Sequence, residues 1–141
     1  MHASSDDEAY RQFAMAEQVF RRSGGLATGD EIARRLRASC NQPVSVLAHW
    51  IVGHAVVSFE WLGERMLPLF QFDPQTMQPR HGVAELVGAL AESLDEWDQA
   101  MWFARPNERF DGAAPAEMIE RDSTFALGPF RHLGEPVAAV A

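Results

Sequence analysis

The sequence predicts a mainly α-helical protein with one β-hairpin, in which an N-terminal three-helix segment precedes the hairpin and a helical bundle. Three observations support this fold class. Apolar residues recur at three- and four-residue spacings over most of the chain. Residues 55–72 instead form two aromatic and β-branched runs around a glycine-containing loop. Prolines and glycines separate the helical stretches from one another.

The first two helices have clear start and stop signals. Residues 6–22 carry acids at their start and arginines at their end, as a helix dipole favours, and Gly24–Gly25 stops them. The run Thr28-Gly29-Asp30-Glu31 is a capping box that opens a second helix to about Ala38. We therefore expect two short helices before residue 40.

A third helix begins at Pro43, which suits the first helical position, and ends at Gly53. Its predicted inward face consists of Val44, Leu47, Ala48 and Ile51. Three helices around a short turn resemble a helix-turn-helix. In that arrangement the residues facing a duplex would be Arg34, Arg35, Arg37, Ser45 and His49. The third helix is mostly apolar, so simple packing of three helices without DNA is the alternative.

The hairpin is predicted from two runs, residues 55–61 and 66–72, separated by Leu62–Arg65. Pro68 cannot donate a ladder hydrogen bond, so it predicts an edge strand. Two strands alone are marginally stable in water. We therefore expect the hairpin to lie on helices.

The C-terminal helices follow from capping and proline signals. Residues 81–91 have helical apolar spacing, and Ser93–Glu96 is a second capping box for a helix that Pro106 ends. Gly112 predicts a positive φ, and Pro115 opens a last helix to about residue 121. We divide the chain into residues 1–53 (helix-turn-helix-like segment), 54–122 (hairpin plus helices) and 123–141 (weakly ordered tail).

Composition limits the classes of protein to which the chain can belong. Hydrophobic residues make up 47% of the chain, enough for a core, yet no apolar run approaches the ~20 residues of a membrane span. The first eight residues are polar and acidic, unlike a secretory signal. The single cysteine, Cys40, excludes an internal disulfide. We expect a cytoplasmic protein without a membrane partner.

Charge is distributed unevenly. The net charge of −8 argues against nucleic-acid binding by the whole surface. Residues 21–49 nevertheless carry five arginines and two acids, whereas residues 50–141 carry six arginines and fourteen acids. This asymmetry indicates two functions or two differently charged faces.

The sequence indicates a binding protein and not an enzyme. His49 and His54 are five residues apart, on different helix faces, and no metal-ligand spacing surrounds them. Helix capping explains the acids at residues 95–98, and no phosphate loop or nucleophile elbow is present. We expect no catalytic residue, no metal and no cofactor.

The aromatic residues near Pro106 are the strongest sign of a binding surface. They are Trp97, Trp102, Phe103 and Phe110. Most aromatics at helical spacing are core, but helical neighbours differ by ~100°, so these rings cannot all share one face. At least one must meet a second surface, which is either the hairpin or a partner. Aromatics beside an Arg105-Pro106-Asn107 corner are typical interface anchors.

These motifs occur in a recognisable order. The run Leu67-Pro68-Leu69-Phe70-Gln71-Phe72-Asp73, a helix, and then Trp97-x4-Trp102-Phe103-x2-Pro106-Asn107-x2-Phe110-x-Gly112-x2-Pro115 resemble the toxin-binding domain of Xre/MbcA/ParS-type antitoxins. The resemblance covers residues 55–121, with Phe110 where leucine is usual.

The resemblance implies a protein that binds and neutralises a cognate toxin, often a RES-domain enzyme that consumes NAD. It also implies an N-terminal module that dimerises or binds operator DNA, and so regulates its own operon. The implied signature is Trp97, Trp102, Phe103, Pro106, Asn107, Phe110, Gly112 and Pro115, most of them structural. The alternatives are a DNA-binding regulator without a toxin and a homo-oligomeric interaction protein.

Overall fold

The computed structural model describes residues 2–121, and their fold is mainly helical, as predicted. The helices are α1 (His2–Phe20), α2 (Gly29–Leu36), α3 (Pro43–Val52), α4 (Val83–Ala91), α5 (Glu96–Ala104) and α6 (Pro115–Arg121). The strands are β1 (Leu26–Thr28), β2 (Phe59–Trp61) and β3 (Glu64–Pro68). Single 3₁₀ turns occupy Arg21–Ser23, Leu69–Gln71 and Glu108–Phe110. The predicted tail, residues 123–141, lies outside the described residues.

The sheet has three antiparallel strands in the order β1-β3-β2, so the expectation of a single hairpin was incomplete. The prediction that Pro68 marks an edge strand was wrong, because β3 is central. Pro68 is the last residue of β3 and lies opposite Leu26. The next amide, that of Leu69, donates to the carbonyl of Gly25 over 2.9 Å. The β1–β3 pairing therefore continues past the proline without needing its missing N–H.

The hairpin turn has two residues, not the four predicted. Trp61 pairs with Glu64, which leaves Leu62 and Gly63 as the central positions. Their φ angles are 47° and 84°, the positive values that a type I′ turn requires at both positions. Glu64 and Arg65 belong to β3 instead of the loop.

The observed helix caps confirm one capping prediction and correct another. Thr28 caps α2 as predicted, because its Oγ1 accepts from the amide of Glu31 over 3.2 Å. Asp95, not Ser93, caps α5, and its Oδ1 accepts from the amide of Asp98 over 2.8 Å. Ser93 still donates its amide to the carbonyl of Leu90, so it belongs to the end of α4.

Two hydrophobic clusters fill the interior. The first lies between α1, the sheet and the C-terminal helices and includes Phe20, Phe59, Phe70 and Phe103. The second lies under α2 and α3, with buried Ala27, Ile32, Leu36, Leu47, Val56, Leu67, Phe72 and Met77. Both clusters draw residues from each side of residue 53, so the N-terminal helices and the hairpin share their packing.

Helix α1 is attached to the sheet through Trp61. The indole nitrogen of Trp61 donates to the carbonyl of Ala9 over 2.8 Å. Phe13 stacks on the indole at a centroid distance of 4.1 Å, and Tyr10 meets its edge at 5.6 Å. Within residues 2–121, no helix combines the length and apolar character needed to cross a membrane.

Candidate partner-binding surfaces

The corner after α5 is a closed loop. Arg105 has the extended conformation (φ −86°, ψ 145°) that a following proline favours. The carbonyl of Asn107 accepts from the amides of Phe110 (2.9 Å) and Gly112 (3.0 Å), and the amide of Asn107 donates to the carbonyl of Ala113 (3.1 Å). The backbone of Ala113 therefore lies beside that of Asn107, and α6 begins two residues later at Pro115.

Gly112 has the positive φ predicted from the sequence, at 84°. An added Cβ would meet no heavy atom within 4 Å, so backbone conformation and not space is the reason for glycine there. Pro115 occupies the first position of α6, also as predicted.

The four signature rings divide into two pairs. Phe103 and Phe110 are buried, with Phe103 at 4.9 Å from the ring of Phe70. Trp97 and Trp102 are half-buried. The edge of Trp97 meets Phe59 at 5.2 Å, and that of Trp102 meets Phe103 at 5.1 Å. The two phenylalanines close the core, and the two indoles keep part of their surface accessible.

The chain becomes exposed just after the buried residues Phe103 and Ala104. Arg105 and Pro106 are exposed, and they lie within one turn of Trp102 at the end of α5. We call Trp102, Arg105 and Pro106 the corner surface. Of the other signature positions in this loop, Asn107 is half-buried, Gly112 is exposed and Pro115 is buried.

Gln71 is a structural residue that the sequence interpretation missed. It is 0% exposed. Its Nε2 donates to the carbonyls of Val57 (2.8 Å) and Pro68 (3.0 Å), and its Oε1 accepts from the amide of Val57 (2.8 Å). The side chain therefore satisfies both backbone groups of Val57, just before β2, and links them to the carbonyl of Pro68 at the end of β3. The available signal was a glutamine with a phenylalanine on each side, a polar residue in an apolar run.

The loop after Gln71 is also held by side chains. Oδ1 of Asp73 accepts from the amides of Gln75 (2.8 Å) and Thr76 (3.2 Å), which forms an Asx turn. Nε of Arg80 donates to the carbonyl of Phe70 over 2.8 Å. These bonds give the Phe-Gln-Phe-Asp motif a structural role.

A small cleft lies between the hairpin and the start of α5. It encloses about 290 Å³, and its lining includes Ser58, Arg65, Glu96 and Gln99. Arg65 and Glu96 form an ion pair at 2.8 Å, and Oε2 of Glu96 also accepts from the amide of Glu60 over 2.7 Å. This amide points away from β3 in the hairpin register, so Glu96 covers the outer edge of β2. The two contacts of Glu96 thus hold the start of α5 against the sheet.

The predicted DNA-facing residues lie on α2, on α3 and just after α2, and all are exposed. They are Arg34, Arg35, Arg37, Ser45 and His49. Arg35 makes an exposed ion pair with Glu31 at 3.4 Å, and within residues 2–121 no cluster of metal-ligating side chains is present.

The prediction of the inward face of α3 was wrong at two of its four positions. Leu47 is buried and Ile51 half-buried, but Val44 and Ala48 are exposed. The helix packs against α2 and the second cluster with one narrow side. Its adjacent side, where Val44 and Ala48 lie, faces solvent.

Comparisons of the chain with protein-family models, curated proteins and solved structures found no match. The interpretation of the two surfaces therefore depends on their residues and geometry.

Proposed function

We propose that this protein is antitoxin-like and binds a cognate protein toxin through the corner surface. The observation that carries this proposal is the position of Trp102. Its ring contacts buried Phe103, whereas the indole itself is half-buried and is followed closely by exposed Arg105 and Pro106. Trp and Arg are the residues most often found as binding anchors in protein interfaces.

The hydrogen-bonded loop and the buried ring next to the corner surface favour tight binding. Five backbone hydrogen bonds lie within the loop from Asn107 to Ala113, and three of them involve Asn107. Phe103 is buried and holds the end of α5 against Phe70. A surface fixed before binding loses less conformational entropy when a partner docks. This rigidity supports the corner as a recognition element.

Charge indicates the chemistry of the partner. Residues 54–121 carry twelve acids and only five arginines. A toxin that docks at the corner would present an acidic group to Arg105 within an otherwise basic surface, and its association would slow as salt increases. The resemblance implies a RES-type, NAD-consuming enzyme as the toxin.

The proposal is tested by co-expression with the small protein encoded beside this chain's gene. We expect wild-type chain to restore growth and cellular NAD in cells that express this toxin. Arg105→Glu should abolish the protection because it reverses the charge of an exposed anchor. The matched control is the double variant Arg34→Glu with Arg35→Glu, which should protect fully. Equal protection by all three proteins, or the absence of a toxic neighbour, would contradict the proposal.

A second candidate function is operator binding, which could operate alongside toxin binding. The exposure of Arg34, Arg35 and Arg37 favours it. Phosphate contacts by these arginines predict duplex affinity that falls steeply with salt, because counterions are released on binding. The double variant Arg34→Glu with Arg35→Glu should abolish duplex binding, and Arg105→Glu should leave it intact. Unchanged affinity in the double variant would remove these arginines from any DNA interface.

A further inference from the structure

The cleft between the hairpin and the start of α5 is lined by two buried polar side chains that have unused hydrogen-bonding capacity. Ser58, just before β2, is 7% exposed, and Gln99 of α5 is 6% exposed. Both line the cleft, one from the hairpin side and one from the α5 side. We call Ser58 and Gln99 the cleft pair.

The amide oxygen of Gln99 is an acceptor that receives no hydrogen bond within residues 2–121. Nε2 of Gln99 donates to the carbonyl of Leu94 over 2.8 Å. This bond fixes the orientation of the amide group, because an oxygen in the place of Nε2 would face another oxygen. Every fully enclosed side-chain nitrogen or oxygen of the described residues has a hydrogen-bond partner. Oε1 of Gln99 therefore stays in contact with the open space of the cleft.

The hydroxyl of Ser58 is a donor that gives no hydrogen bond in the same part of the chain. Its Oγ accepts from Nη1 of Arg65 at 3.4 Å, which leaves the hydroxyl proton free. The same Nη1 donates to Oε1 of Glu96 over 2.8 Å. Gln99 lies three residues after Glu96, so the two share one face of α5. Arg65 thus contacts both sides of the cleft, with the cleft pair on either side of that contact.

Four apolar residues also line the cleft and suit a small ligand. Val56 is buried, and Ile51, Ala91 and Leu94 are half-buried. The enclosed volume of about 290 Å³ is close to the lower limit of small-molecule sites, which span about 300–1,000 Å³. Such sites combine apolar walls with a few placed polar groups. The cleft therefore fits a molecule with one ring or a short apolar chain.

We propose that the cleft binds a small neutral molecule that carries a primary carboxamide on an apolar body. The N–H of the carboxamide donates to Oε1 of Gln99, and its carbonyl accepts from the hydroxyl of Ser58. A carboxylate has no donor for Gln99, and an ammonium group has no acceptor for Ser58. A carboxamide offers both in one planar group.

The charges at the cleft also favour a neutral ligand. Arg65 and Glu96 pair with one another at 2.8 Å, and Oδ1 of Asp95 accepts from the amide of Asp98 over 2.8 Å. A charged ligand would compete with the ion pair and would lose hydration on entry, whereas a neutral amide does neither. No residue of the corner surface lines the cleft, so the proposal does not depend on toxin binding.

Titration of the full chain with benzamide, followed by protein-observed NMR, tests the proposal. We expect saturable shifts at the cleft and a dissociation constant of about 1 mM or tighter. Ser58→Ala and Gln99→Leu remove the donor and the acceptor, and each should weaken binding at least about fivefold. Ser39→Ala and Gln75→Leu, the same changes at exposed positions outside the cleft lining, are the matched controls and should bind like wild type. Equal affinities of the cleft variants and their controls would overturn the proposal.

A series of benzamide analogues tests the same contacts without changing the protein. Benzoate lacks the donor, benzylamine lacks the acceptor, and N,N-dimethylbenzamide lacks the N–H. Each should bind wild-type chain at least about fivefold more weakly than benzamide. Equal binding of all four compounds, or no saturable binding of benzamide, would overturn the proposal. Tighter binding of N-acetylglutamine amide than of benzamide would assign the cleft to a side chain of a protein partner, and would overturn a small-molecule site.

Discussion

The corner surface and the apolar face of α3 that consists of Val44, Ala48 and Val52 are both exposed, but different residues lie beneath them. The corner lies directly over buried aromatic residues, because Phe103 contacts Phe70 and Trp102 contacts Phe103. On α3, Leu47 is the buried residue, with Trp50 and Ile51 half-buried beside it. The exposed residues at the corner thus lie next to a packed aromatic core. On α3, by contrast, no residue within 2–121 covers the exposed apolar face.

This difference separates two kinds of binding surface. A pre-organised aromatic and cationic surface suits a specific partner of another kind. The exposed face of α3 instead carries aliphatic side chains, and α3 has no acid, arginine or lysine. The following substitutions test whether the support under the corner is as strong as its contacts indicate.

Phe103→Ala should have the largest effect. Removal of this fully buried ring leaves a cavity under the corner and should lower the free energy of unfolding by ~3–5 kcal/mol. Urea denaturation measures the change. Val44→Ala removes an exposed side chain from α3 and should change stability by less than ~0.5 kcal/mol. Similar losses from the two variants would contradict the contrast between the surfaces.

Gln71→Met should cost about 3 kcal/mol. Methionine fills a similar volume but leaves the buried amide and carbonyl of Val57 without their partner, at ~1–3 kcal/mol for each group. Thermal and urea unfolding should both show the loss. Gln75→Met, at an exposed glutamine of the next loop, should be neutral within ~0.5 kcal/mol. A neutral Gln71→Met would mean that another group satisfies Val57.

Trp102→Ala should destabilise by about 2 kcal/mol, less than a fully buried ring would, because the indole is half-buried. The variant should still fold, as judged by far-ultraviolet circular dichroism, and it should lose toxin binding. A loss as large as that of Phe103→Ala would identify Trp102 as core. The corner surface would then have no aromatic anchor.

Gly112→Ala should have the smallest effect, about 1 kcal/mol of destabilisation. Its φ of 84° is unfavourable for any residue with a Cβ, although space for the Cβ is free. Gly88→Ala is the control, because Gly88 lies inside α4 with open space around it. Alanine there should stabilise by ~0.5–1 kcal/mol. Equal signs in the two thermal shifts would show that φ does not determine the effect at Gly112.

Features that depend on a few neighbouring residues were predictable from the sequence. The cap at Thr28, the positive φ of Gly112 and the start of α6 at Pro115 each follow from local geometry. The helix spacing also predicted the position of α4 to within two residues.

Features that depend on distant partners were not predictable. Strand β1 has three residues, too few for a pattern, and forms only because β3 pairs with it. The central place of β3 followed from that pairing and contradicted the signal from Pro68. The orientation of α3 was misjudged because its residues are nearly all apolar, so hydrophobicity alone could not distinguish the buried side from Val44 and Ala48.

The most direct test of the corner surface is the dissociation constant for the toxin encoded beside this chain's gene, measured by titration calorimetry. The chain should bind it tightly, and Arg105→Glu should raise the dissociation constant at least about tenfold without changing thermal stability. Ala48→Glu should bind like wild type. Equal affinities of wild type and Arg105→Glu, or a partner that binds through α3, would contradict a corner-centred interface.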